Sequence, residues 1–270
     1  MTELNSINTT KSAPLKVVDL LQTKAIQGKI KRLLPENINF NRFLQIAINE
    51  IREKPKLLQC DPMSVIESIG QAARLGLDIG GVNGHAHLIP YGNKCQFQVG
   101  VKGLEALAQK AGVGVIESAI VYENDGFDLE YGLTKKLSHR PSFTNRGNAI
   151  CAWAMAKVDN ENVFIHMTMD EINKIKAYSK TASTPDSPWV KSYDEMAKKT
   201  IKKRLCKSLP QHTNNSLLQE AIALDDQADA GVQNNSHIFN DDTDSTFVDV
   251  TPQFQETGGK ASQILERVSL

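Results

Sequence analysis

Between Ser187 and Pro210 the sequence reads SPWVKSYDEMAKKTIKKRLCKSLP, and no other stretch limits the possible architectures so tightly. Ser187 suits a helix cap and Pro188 a first helical turn, while Pro210 cannot continue a helix, so a single helix is predicted over 188–209. At 3.6 residues per turn, Trp189, Tyr193, Met196, Ala197, Thr200, Ile201 and Leu205 fall along one broad side. Lys191, Lys198 and Lys202 line the opposite side, and Lys199, Lys203 and Lys207 form a second row on one flank. Arg204 lies near the apolar side, so its head must reach for a partner. Most such faces are simply solvated. Here the acids of the helix are Asp194 and Glu195, both early, which favours a polyanionic partner.

The net charge of zero conceals a division along the chain. Residues 1–210 carry 29 Lys and Arg against 21 Asp and Glu, whereas residues 211–270 carry Lys260 and Arg267 against 10 acids. A basic body followed by an acidic tail suits a nucleic-acid surface and a tail that regulates it or recruits partners. With 270 residues, the chain is long enough for one large domain with appendages. Cys60, Cys95, Cys151 and Cys206 are far apart, with neither a CxxC pair nor a dense disulfide framework. No signal-peptide pattern and no long apolar run occurs, so a cytoplasmic location without membrane contact is expected.

Residues 1–14 are polar and read as a disordered N-terminus. Apolar positions at helical spacing predict helices over about 15–34, ended by Pro35, and over about 39–54, ended by Pro55. A third helix starts at Asp61-Pro62 and ends at Leu75, with Gly76 as a left-handed cap. The period then changes. His85–Tyr91 and Lys94–Val99 alternate like strands around a Gly92-Asn93 turn. Lys102–Lys110 reads as a short helix, followed by strands over 115–122, 127–131, 150–158 and 163–167. Thr168-Met169-Asp170-Glu171 is a capping box. A polar loop at 179–188 precedes the basic helix, and a last helix of the body is expected over Asn215–Ala223. The expected fold is α+β: an antiparallel sheet of about five strands with flanking helices, forming a basic groove suited to nucleic acid. The body is set at 15–226. A flexible acidic tail is set at 227–270, with Ile264, Leu265 and Val268 on one side of a short partner-binding helix.

Catalytic patterns are weak. His85 and His87 share a strand face, but no third ligand follows at convincing spacing. Asp125 and Asp128, with Glu123 and Glu130, resemble a two-metal nuclease cluster but fit an ordinary turn better. Gly80-Gly81-Val82-Asn83-Gly84 lacks the Lys-Ser/Thr of a nucleotide loop. Serine and cysteine hydrolase signatures are absent. The chemistry expected is binding, with no catalytic residue, cofactor or metal.

Longer motifs are more specific. Gly84-His85-Ala86-His87-Leu88-Ile89-Pro90-Tyr91-Gly92, followed by Gln96-Phe97-Gln98-Val99-Gly100-Val101-Lys102-Gly103-Leu104, resembles the central signature of RecT-type phage recombinases. Ala72-Ala73-Arg74-Leu75-Gly76-Leu77 upstream and Val121-Tyr122-Glu123-Asn124-Asp125 downstream are similar to further segments of that family. So is the block from Ser187-Pro188-Trp189 through Glu195-Met196-Ala197-Lys198-Lys199-Thr200, Arg204 and Leu209-Pro210. The matches span about 15–226 in consistent order. Val101 departs from the Tyr or Phe usual in the family. The resemblance implies an ATP-independent single-strand annealing protein that holds single-stranded DNA and the annealed duplex intermediate. It also implies a homo-oligomer, as a ring or helical filament, working beside a phage exonuclease and the host single-strand binding protein.

Annealing needs phosphates neutralised while base edges stay free. One Lys row and Arg204 are expected to line the groove, the other row facing solvent or a neighbouring subunit. Lys94 and Lys102 are candidates for the opposite wall, and Gln96 and Gln98 for contacts to backbone or base edges. Tyr91, Trp189 and Tyr193 are stacking candidates, each worth about 1–3 kcal/mol per base if they stack, although Trp189 and Phe97 also suit a core. The competing classes are a passive protector of single strands and a metal-dependent nuclease.

Overall fold

Strand-to-helix contact around the 84–104 signature organises the N-terminal half of the protein. The computed structural model describes residues 16–81, 83–179, 182–209 and 215–232. The expected N-terminal disorder, the helix stop at Pro210, and the tail from residue 233 with its terminal helix lie outside these residues.

Helices α1 (Val17–Leu21) and α2 (Lys24–Leu33) replace the single helix expected over 15–34. Thr23 adopts an extended backbone between them, and its hydroxyl donates to the Leu20 carbonyl at 2.7 Å. Helix α3 (Phe40–Glu53) is capped by Asn39, whose side chain accepts from Arg42 N–H. A 3-10 turn (Pro55–Gln59) leads to α4 (Pro62–Leu75), capped by the Asp61 carboxylate and closed by Gly76 at φ +63°. Helix α4 is buried around nearly its whole circumference, which explains why Val65, Ile66, Ile69, Ala72 and Ala73 do not form a narrow stripe.

The hairpin β1 (Ala86–Tyr91) and β2 (Lys94–Val99) pairs His87 with Gln98 and Ile89 with Gln96. Gly92 supplies the positive φ of its turn. Alternation gives it two faces. Ala86, Leu88, Cys95, Phe97 and Val99 pack into the core beside α4, while His87, Gln96 and Gln98 form a polar face. Helix α5 (Val101–Lys110) follows at once. Gly100 N–H donates to the His85 carbonyl at 2.8 Å. A Cβ at Gly103 would lie 2.1 Å from that same carbonyl oxygen, and one at Gly100 would lie 2.1 Å from the Gly84 oxygen. The Gly-Val-Lys-Gly motif is therefore required by backbone-to-backbone approach.

The second half departs from the expected single sheet. Strands β3 (Glu117–Tyr122), β6 (Ala149–Val158) and β7 (Glu161–Thr168) form one antiparallel sheet in the order β3-β6-β7. Strands β4 (Gly126–Glu130) and β5 (Lys136–Arg140) form a separate hairpin, and β1-β2 a third sheet. Three small sheets thus replace the one sheet of about five strands. Strand β5 was not foreseen because Lys136-Leu137-Ser138-His139-Arg140 carries little β signal. It is held by cross-strand pairing to β4, a nonlocal effect. Strand β6 is covered on both faces: Ala152, Ala154 and Ala156 join the main core, and Cys151 and Trp153 join a smaller cluster with Val121 and Phe127.

Thr168 and Glu171 close the expected capping box at the start of α6 (Met169–Tyr178). The basic segment is not one helix. It breaks at Ser192 into α7 (Pro188–Lys191) and α8 (Tyr193–Lys207), with Ser187 capping Trp189 N–H. Helix α8 buries Ala197, Ile201, Leu205 and Cys206 against the β3-β6-β7 sheet. Helix α9 (Ser216–Asp229) continues past the expected end at Ala223 and lies against β2, α5 and α8.

Gly103→Ala is expected to destabilise the protein by about 3 kcal/mol or more, since backbone on both sides has to move. Gly28→Ala, inside α2 with nothing within 4 Å of a new Cβ, should instead stabilise it by about 0.5–1 kcal/mol. Thermal melts of the two variants check the contrast.

Candidate nucleic-acid interface

The Lys199/Lys203/Lys207 row recurs every four residues, and α9 presents Asp225, Asp226 and Asp229 with matching spacing. The two rows interlock. Lys199 donates to Asp225 at 2.9 Å, and Lys203 to Asp225 and Asp229, each at 2.8 Å. Lys207 donates to Asp226 at 2.6 Å. Asp225 is fully buried, and the side chains of Lys199 and Lys203 are each 10% exposed. Burial opposes the Asp225 charge, but Lys199 and Lys203 win and hold its carboxyl below the usual range. Burial likewise opposes the Lys203 charge, and Asp225 and Asp229 overcome it, raising that ammonium above its usual range. Lys199 and Lys203, expected in a row that either lines the groove or faces solvent or a neighbouring subunit, are both largely buried in an ion-pair cluster.

The opposite row is also divided. The break at Ser192 removes Lys191 from it, and Lys191 pairs with Asp186 at 2.6 Å. Lys198 pairs with Glu195 at 2.9 Å, and Lys202 pairs with Glu105 of α5. Arg204 remains exposed, with no carboxylate within ion-pair distance among the described residues.

A cleft of about 370 Å³ lies between the polar face of the β1-β2 hairpin and the α7–α8 segment. It brings together Tyr91, Gln96, Gln98, Trp189 and Lys199 with Asp229. A second lobe, about 360 Å³, adds Lys203, Arg204 and Lys207 and shares Trp189, Met196, Lys199 and Asp229 with the first. Two walls, hairpin and basic helix, therefore do face one another. The end of α9 sits between them: Gln98 donates to Asp229 at 3.2 Å and Gln96 to the Val232 carbonyl at 3.4 Å. His87, on the same hairpin face, is held below its usual range by burial and then by Lys54 and Lys199.

Lys94, at the hairpin tip, and Lys102, on the exposed side of α5, line neither lobe. Trp189 is 5% exposed, stands 5.9 Å from the Tyr193 ring, and lines both lobes with part of its surface. Tyr193 is half-buried, with its hydroxyl donating to Asn173 at 2.6 Å. Phe97 is wholly core. The residues missed from sequence are Asp225, Asp226 and Asp229. Their signal was present as an acidic row matching the lysine spacing, but it was hidden by ending the helix at Ala223.

The acidic turn is a structural hub. Asp125 accepts from Arg146 Nε and Nη2 at 3.0 and 2.5 Å, from Ser142 N–H at 2.8 Å and from Tyr122 N–H at 3.0 Å. His139 Nε2 lies 3.0 Å from it. Trp153 Nε1–H can only donate, and its partner is His139 Nδ1 at 3.0 Å, so the ring's remaining proton is on Nε2 and is donated to Asp125. The Arg146 bond above all holds the Asp125 carboxyl far below the usual range. With its oxygens taken up by these donors, Asp125 does not offer a metal-ligand face. Asp128 pairs with Lys136 at 2.5 Å, and among the described residues no three His, Cys, Asp or Glu side chains gather as ligands.

These features define an α+β protein with an aromatic-edged cleft between a hairpin and a helix, lined by lysines paired with carboxylates and by Arg204. The sequence model of the RecT family matches residues 41–238. Protein RecT of Escherichia coli strain K12 is 33% identical over 221 residues, covering 78% of this chain and 80% of that protein. The uncharacterized protein YqaK of Bacillus subtilis strain 168 is 28% identical over 187 residues, covering 68% of this chain and 63% of its own. The chain belongs to the RecT family. No helix among the described residues is long and apolar enough to cross a membrane.

Asp225→Asn leaves two buried ammonium groups short of a carboxylate and should cost about 3 kcal/mol or more. In the wild type the contribution of Asp225, whose native pKa is lowered, is complete above the unfolded value of about 3.9 and fades as pH falls through the native value. That of Lys203, whose native pKa is raised, is complete below about 10.4 and fades as pH rises through the native value. Denaturant melts at pH 3, 7 and 11 should show a wild-type maximum at the middle pH and a smaller pH dependence in Asp225→Asn.

Proposed function

We propose that this protein binds single-stranded DNA and anneals complementary strands without ATP, in phage-type homologous recombination. The observation that carries the reading is the two-walled cleft, with Tyr91, Gln96 and Gln98 on one side and Trp189 and α8 cations on the other, in a RecT family chain. Its polar content suits sequence-independent contact: Arg204 and Lys207 meet phosphates as charges, and Gln96, Gln98 and Tyr91 meet sugar or base edges. Lys199 and Lys203 act on DNA only by giving up carboxylate partners, so their first role is to fix α9. Lys191, Lys198 and Lys202, each paired with a carboxylate, reach a phosphate only by exchanging that partner; Lys94 and Lys102 extend the hairpin side. Trp189 and Tyr193 brace the cleft wall more than they stack.

In this reading the body at 15–226 assembles as a homo-oligomer, ring or helical filament, so that one strand contacts many weak sites in series. The tail, expected from residue 227, follows α9, whose last residues belong to the body and to the cleft; its terminal helix engages the host single-strand binding protein, and a phage exonuclease supplies the strand. The work is cytoplasmic, and no cofactor or catalytic residue is assigned. A chain that only protects single strands would carry the same cleft, and pairing rate separates the two.

Fluorescence-monitored pairing of complementary oligonucleotides should be faster with the protein than without it; slower pairing identifies a protector, and cleavage of labelled DNA with Mg²⁺ or Mn²⁺ a nuclease. Arg204→Ala should weaken binding to all sequences alike and lower the salt slope of log K by about 0.7, as for one lost phosphate contact on a single strand. Asp229→Asn, which removes a carboxylate from the middle of the cleft, should tighten binding roughly two- to fivefold, the scale of one partly screened charge pair.

A further inference from the structure

The cleft does not end at Lys207. Beyond it lies a third concavity of about 370 Å³, lined by Tyr131, Ile165, His166, Arg204, Lys207 and Ser208, and it shares Arg204 and Lys207 with the second lobe. Tyr131 follows β4 directly and is 53% exposed. An exposed tyrosine is usually free to rotate, but this one is held. Its hydroxyl is 2.8 Å from His166 Nδ1, and its ring centroid is 5.6 Å from Phe164 and 5.5 Å from His166, tilted by about 40° to each. Both partners lie on β7, so the β4-β5 hairpin and the three-stranded sheet fix the ring jointly. A fixed ring with an open face, beside an arginine with no ion-pair partner among the described residues, fits a flat apolar group that carries a negative charge.

We infer that Tyr131, His166 and Arg204 form a nucleotide subsite at the far end of the cleft. A nucleobase stacks on the open face of Tyr131, and its phosphate lies against Arg204 and Lys207. The chemistry favours a single strand over a duplex, because a base inside a duplex is already stacked on both faces by its neighbours. It is indifferent to sequence, since every base offers a π-face, and Arg204, and Lys207 once it exchanges Asp226 for a phosphate, act as charges. His166 is a positioning residue: it sets the ring and does not touch the base. The inference rests on the reading of the cleft as a single-strand site and extends it by one nucleotide position.

The test compares wild type with Tyr131→Ala, Tyr131→Phe and Tyr131→Trp in the full chain, titrated with a fluorescent poly-dT oligonucleotide. Tyr131→Ala should weaken binding about tenfold, within the range that one lost base stack gives. Tyr131→Phe keeps the π-face and should retain wild-type affinity within about threefold. Tyr131→Trp should add an indole emission, above that of wild type, which single-stranded DNA quenches and duplex of equal length does not. A near-wild-type melting temperature for each variant establishes folding, as expected for a side chain this exposed. Equal affinity of Tyr131→Ala and wild type overturns the subsite. So does an equal loss in Tyr131→Phe and Tyr131→Ala, which would make the hydroxyl, not the ring, the active part. If wild type itself binds no single-stranded DNA, it is the reading of the whole cleft that falls.

Discussion

One buried carboxylate, Asp225, holds the C-terminal half of this protein in register. Two lysines one helical turn apart on α8 donate to its two oxygens, and neither charge is well hydrated. Desolvating these groups is costly, and their mutual attraction offsets that cost only in this geometry. The consequence is positional. Helix α9 cannot slide or rotate on α8 without leaving a buried charge unpaired. Its last turn is therefore delivered to the polar face of the β1-β2 hairpin, where Asp229 and the Val232 carbonyl meet Gln98 and Gln96. The cleft owes its shape, and the carboxylate at its centre, to that pair.

The N-terminal half obeys a different constraint, steric rather than electrostatic. The turn from β2 into α5 passes so close to the backbone at Gly84 and His85 that no side chain fits at Gly100 or Gly103. This fixes the hairpin against α5, and Ser64 Oγ on α4 accepts from Cys95 N–H at 2.9 Å to fix its other side. A rigid hairpin on one side and a charge-locked helix pair on the other make two walls of different kinds. The hairpin wall is held by backbone contacts on both sides. The helix wall has a way to open locally, because Asp226 and Asp229 are partly exposed and their pairs with Lys207 and Lys203 compete with solvent and with any other anion.

Much of the fold was legible because its signals are local. The Asp61-Pro62 cap, the Gly76 stop, the Gly92-Asn93 turn and the Thr168–Glu171 box each act within four residues, and each appears as expected. Errors fall where local signals are weak or contested. Ser192 breaks a run that otherwise reads as continuous helix. Lys136–Arg140 becomes a strand only through its partner β4. The apolar run of β6 reads as one strand of a large sheet, whereas it is the middle of three, with one face covered by α8 and the other by the cluster around Trp153.

By itself the sequence determined the helix caps, the hairpin and the presence of two lysine rows on one basic segment, since all of these follow from spacing along a single element. The tertiary structure alone decided what those lysines meet. Lys199 and Lys203 lie 26 and 22 residues from Asp225, and only the packing of α9 on α8 and β2 brings them together. Charge on a helical wheel has a direction but no partner. Whether a cation pairs at the surface, is buried in a cluster or, among the described residues, meets no carboxylate, as Lys198, Lys203 and Arg204 respectively show, depends on which element packs beside it, and that is a property of the whole chain.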